Sequence, residues 1–159
     1  MFEKEIQKIE QSKEYGKELY LTSCFFLQDW QFTYYNQKTK KMKTFAIVND
    51  EVKVLEQNTE PFQKEEKIIQ KLDFTHIKVP FQEVLILIDN LMSSKYRQTA
   101  TQRIVSLHQE NIPFWNITYI AASLQILNVK VNAITAEIIS EKMQNAMDFK
   151  VKDLNQKDF

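Results

Sequence analysis

The sequence predicts an α+β protein built as two helix-plus-antiparallel-sheet repeats that share one core. Three observations predict it. Trp30-Gln31-Phe32-Thr33-Tyr34-Tyr35 matches Trp115-Asn116-Ile117-Thr118-Tyr119-Ile120 at a spacing of 85 positions (115 − 30). Each copy is followed by a second alternating segment and a turn, and each half carries a segment with helical apolar spacing ahead of it. A unit with one apolar sheet face and one helix can complete its core by sharing it with a copy of itself.

Phe2, Ile6 and Ile9 fall at helical spacing and predict a helix over 2–18. Residues 19–27 and Trp30 to Tyr35 read as strands, joined by Gln28-Asp29. Lys41 to Val48 alternate, with Met42, Thr44 and Ala46 on one side and Lys43, Phe45 and Ile47 on the other. Asn49-Asp50 tolerate positive φ and suit a hairpin turn into a short strand, Glu51 to Leu55. After Pro61, residues 64–71 predict a helical turn or two, and Phe74 to Val79 an extended run before Pro80. Phe81, Val84, Leu85, Ile88, Leu91 and Met92 predict a helix that is apolar around most of its circumference and therefore buried. Strands follow at 101–109, 114–121 and 124–133, a turn at Ile134 to Glu137, a closing pair Ile138-Ile139, and a short helix at 141–149. The repeats are placed at 1–57 and 73–149, with a connector at 58–72 and a mobile polar tail at 150–159.

The second half resembles the PepSY domain family. Val79-Pro80-Phe81-Gln82-Glu83-Val84-Leu85 is similar to the start of the family's helix, Trp115 to Ile120 to its "YEVEV" strand, and Asn128 to Ile139 to its closing "v-x-v-D-A-x-T-G-E-v-l" segment. Asn132 replaces the usual Asp and Ala136 the usual Gly. Glycine favours positive φ there, so Ala136 implies strain or another turn geometry. The first half is similar more loosely, through its Trp strand and Phe45 to Val54. The resemblance implies a cystatin-like fold, used twice, and a role in binding protein or peptide, as a peptidase-modulating or assembly factor.

Composition limits the chemistry. The 159 residues carry 21 basic and 21 acidic side chains, so no net charge steers the molecule toward nucleic acid or anionic membrane. The single glycine, Gly16, leaves no glycine-rich phosphate loop and no nucleophile elbow. His76 and His108 are the two histidines and show no metal-ligand spacing, so neither a metal nor a cofactor is expected. Cys24 lies in an apolar strand and reads as a buried structural thiol. Apolar runs are far shorter than the roughly 20 residues that span a bilayer, and no secretory leader is legible, so a cytoplasmic protein without a membrane span is expected.

Two groups of residues remain as candidates. Lys38, Lys40, Lys41 and Lys43 cluster at one hairpin beside Tyr35, where lysines next to aromatics can hold phosphates and stack bases; a solvated loop guarding a strand edge is the favoured reading. Trp30 and Trp115, with Tyr34 and Tyr119, occupy matching repeat positions and read as core aromatics packed under helices. The expected function is non-enzymatic binding of a protein or peptide by a monomer or homodimer, through a sheet edge or the groove between helix and sheet. The alternatives are a nucleic-acid accessory protein using the Lys38–Lys43 hairpin, and a small-ligand carrier with a closed apolar pocket between the halves.

Overall fold

The computed structural model describes residues 1–61 and 68–146. Its strands are β1 (Leu19–Phe26), β2 (Trp30–Asn36), β3 (Lys41–Val48), β4 (Glu51–Thr59), β5 (Ala100–Gln109), β6 (Pro113–Ala121), β7 (Gln125–Asn132) and β8 (Ile138–Asn145). They join in one eight-stranded antiparallel sheet of order β4-β3-β2-β1-β5-β6-β7-β8. Two short helices, α1 (Glu3–Glu10) and α2 (Phe81–Leu91), accompany it.

The expected fold class is corrected by this sheet. The molecule is sheet-dominated and is not a pair of cystatin-like helix-plus-sheet repeats. β1 and β5 pair directly, with Cys24 opposite Leu107 and Phe26 opposite Val105. Main-chain hydrogen bonds therefore cross the middle of the molecule and join both halves into one sheet. An unpaired strand edge leaves polar groups that the neighbouring strand satisfies.

Several elements also differ from their expected bounds. α1 stops at Glu10, where the apolar stripe ends; the Ser12 hydroxyl donates to the Ile9 carbonyl at 2.7 Å and closes the turn. β4 runs to Thr59, past the expected end at Leu55 and past the repeat boundary at 57. Phe74–His76 form a 3₁₀ turn rather than extended chain, capped by Asp73, whose carboxylate accepts from the Thr75 N–H. Residues 68–71 are not helical, and 64–67 lie outside the described residues. The helix expected at 141–149 is corrected: 141–145 belong to β8, because the ladder offered by β7 overrides local propensity. Residues 147–149, and the tail expected to be mobile at 150–159, lie outside the described residues. α2 is buried on one side only. Val84 and Ile88 are fully buried, whereas Ile86 is 62% exposed.

Both helices pack against the same face of the sheet. Phe2 of the α1 cap meets Trp30 and Phe32, and Phe81 of α2 meets Phe26, Trp30 and Trp115. Trp30 and Trp115 themselves lie 6.4 Å apart between ring centroids. The buried Trp115 indole N–H donates to the Val79 carbonyl at 2.9 Å. The Lys78 and Val79 N–H groups both donate to the Ala133 carbonyl, so the segment leading into α2 is latched to the β7–β8 turn.

Turn chemistry explains the hairpins. Asn49 and Asp50 both adopt positive φ (51° and 67°), the twist that a two-residue antiparallel hairpin needs. The Asn36 side chain accepts from the N–H groups of Lys38 and Thr39, and the Asn132 side chain accepts from those of Ile134 and Thr135. Ala136 has φ 64°, so it does occupy the left-handed conformation that favours glycine. Ala136→Gly should therefore stabilise the protein by about 0.5–1 kcal/mol, read as a raised urea midpoint.

Tyr34 and Tyr119 are both fully buried, but their hydroxyls fare differently. Tyr119 donates to Asp89 at 2.6 Å, and Asp89 also takes two hydrogen bonds from Arg103. The Tyr34 hydroxyl has no hydrogen-bond partner among the described residues. Tyr34→Phe should thus leave stability unchanged or slightly raised, while Tyr119→Phe should cost about 1–2 kcal/mol in the same unfolding assay.

Candidate functional site

The sheet face opposite the helices is lined by short polar side chains. Alternation along each strand places Thr33 of β2, Thr44 of β3, Ser106 and His108 of β5 and Asn116 of β6 on that face. β1 carries an irregularity between Leu21 and Ser23 that sets Thr22 out of step. Thr22 turns its hydroxyl onto the Thr33 carbonyl at 3.0 Å, and the Leu21 carbonyl accepts from the Leu72 N–H. Thr33 and Thr44 hydroxyls meet at 3.1 Å. The floor is thus a ladder of small hydroxyls across adjacent strands, bonded to one another or to main chain.

Above this floor runs an open groove of about 850 Å³, bordered on one side by Glu60, Pro61, Ile69 and Gln70. That volume lies within the range of about 300–1,000 Å³ common for ligand sites. At one end, the His108 ring stacks on Phe114 (5.7 Å, 29°) and its Nε2 lies 2.8 Å from the Ser106 hydroxyl. The Lys130 ammonium sits 4.9 Å from the centre of the same Phe114 ring. Burial, helped by Lys130, pushes the His108 pKa below its ordinary value; Glu110 opposes the shift. The groove therefore presents a predominantly neutral imidazole at physiological pH.

The residues singled out in the sequence lie elsewhere. Lys41 pairs with Glu60 at 2.8 Å, and Lys43 donates to the Glu14 carbonyl at 2.6 Å while approaching the Phe45 ring. Lys38 and Lys40 stay exposed, and Tyr35 packs edge-on against Tyr20. The hairpin is therefore a row of internally paired and solvated lysines, not one converging cluster. Trp115 is fully buried and Trp30 half-buried, on the helix side of the sheet rather than in the groove. Cys24 is fully buried, and desolvation holds its thiol far above the usual range. His76 is exposed beside Asp73. No group of three or more metal-ligating side chains occurs among the described residues.

The two sheet edges are unequal. Irregularities interrupt β4 at two places, and it carries Glu51, Lys53 and Glu56. β8 pairs without interruption from Ser140 to Asn145, and Glu141 is held by Lys95 and Tyr96. A second, smaller depression of about 430 Å³ follows β4 beside Glu14. Both depressions are open and bear polar side chains.

Sequence reasoning missed the groove. Alternation had already grouped Thr44 with Met42, but only strand order brings that row to one face with Ser106 and His108 of β5.

No family model matches the sequence, and no curated protein matches it. The fold is similar to the crystal structure of a candidate lipoprotein from Clostridium difficile 630, with a TM-score of 0.50 and 16% identity over 80% of this chain and 84% of that one. At that identity the likeness concerns the fold alone. No helix among the described residues is long and apolar enough to cross a membrane.

The depressed His108 pKa sets a pH dependence. The unfolded chain takes up this proton near the ordinary histidine value of 6.5, and the folded chain does so only at lower pH. Stability from this group is therefore present above that value and is lost as pH falls through it toward the folded pKa. Urea unfolding of the native protein and of His108→Phe should show a smaller loss between neutral and mildly acidic pH in the variant.

Proposed function

We propose that this chain is a non-enzymatic binding module that holds a polypeptide segment in the groove on the uncovered sheet face. One observation carries the reading. The larger of the two depressions described above crosses a sheet face that no described helix covers, and its floor is already bonded internally, which makes it a preformed surface. Its open side suits an extended segment better than a compact, enclosed small molecule. The pairing of Ser106 with a predominantly neutral His108 serves here to fix the groove wall.

The experiment is selection of seven-residue peptides from a random phage-displayed library, followed by NMR titration of the recovered peptides. Shift changes centred on Thr33, His108 and the Asn116 side-chain amide are expected. If no peptide is recovered above background, or if the changes centre on β8, α2 or the Lys38–Lys43 hairpin instead, the proposal is wrong.

A further inference from the structure

The polar atoms lining the groove divide into those already satisfied and those left over. The hydroxyls of Thr22, Thr33 and Ser106 are engaged within the protein. Glu60 is occupied by Lys41, which holds its carboxyl below the usual range. Lys130 lies over the Phe114 ring. Glu56 and Glu110 also line the groove, and neither carboxylate forms a hydrogen bond or ion pair among the described residues. A neutral ligand such as an oligosaccharide needs free hydroxyls and amides for directional recognition, and most of the floor's hydroxyls are engaged. The strongest remaining interaction is with positive charge.

We infer, resting on the polypeptide-binding reading above, that the groove selects basic segments, with Glu56 and Glu110 receiving lysine or arginine side chains from two sides of the same channel. Glu56 enters from the β4 side, opposite Thr44, and Glu110 from the turn that follows β5. Two anionic positions flanking a neutral floor match an extended chain carrying separated cations. They also disfavour acidic segments, because an unpaired carboxylate facing another costs binding free energy. The partner chemistry is thus a Lys/Arg-bearing extended peptide.

The test measures dissociation constants for the recovered peptides, and for copies with each Lys or Arg replaced by Gln, against the native protein, E56Q/E110Q and K130Q. Glu56 and Glu110 are exposed, so their Gln variants should fold, which far-UV circular dichroism verifies. The recovered set should be enriched in Lys and Arg. E56Q/E110Q should weaken binding about tenfold, with a reduced salt dependence, and K130Q should not weaken it. Neutral cello-oligosaccharides should give no shift changes in the groove. Peptides that fill the groove yet are neutral or acidic, or that bind E56Q/E110Q as tightly as the native protein, would overturn this inference and leave polypeptide binding standing. Saccharide shifts without any peptide binding, or the absence of any groove-bound peptide, would overturn both.

Discussion

Everything in this molecule depends on the aromatic packing over the β1–β5 seam. That seam is the short place in the sheet, with four registered residue pairs from Ser23–His108 to Phe26–Val105. Above it Phe2, Phe26, Trp30, Phe81 and Trp115 interlock edge to face or at a tilt, and the two helices reach the sheet through this cluster. Rings of this size bury large apolar areas, and their mutual geometry contributes beyond area alone. The Trp115 indole adds a directional bond to Val79 which, beside the main-chain bonds from Lys78 and Val79 to Ala133, fixes where the chain turns into α2.

Because both helices settle on one face, the other face is left to the strands' own side chains. Threonine and serine suit it physically. Their hydroxyls reach main-chain carbonyls or each other across a strand spacing, so they can lie low in the pleat without unmet polar groups. Charged groups stay at the rim, where water still reaches them. The groove is therefore a consequence of how the core is closed, not a separate feature added to the fold.

Much of this was legible in particular residues. Asn49-Asp50, both at positive φ, show that turn residues were readable one by one. Ala136 met the positive φ that its place in the turn demanded, because the Asn132 side chain and the main chain hold the hairpin shape around it. The matching repeat positions also grouped Trp115 with Tyr119 as core aromatics, and both side chains are fully buried. The helix expected at 141–149 failed because a local pattern competes with a ladder supplied from elsewhere, and that ladder is invisible in the segment itself. The lysine hairpin looked like a cluster in sequence, yet Lys41 and Lys43 find Glu60 and Glu14, which lie 19 and 29 positions from them.

By itself, the sequence determined which residues face the same way along each strand, where the tight hairpins fall, and that a single glycine leaves no glycine-rich phosphate loop. Those properties are local: they follow from side-chain period and backbone sterics. Only the tertiary structure decided that the strands make one sheet, that both helices lie on the same side, and that Thr44, Thr33, His108 and Asn116 border one groove. Strand order is a long-range property, set by which edges meet once apolar rings are buried, and no window of sequence contains it.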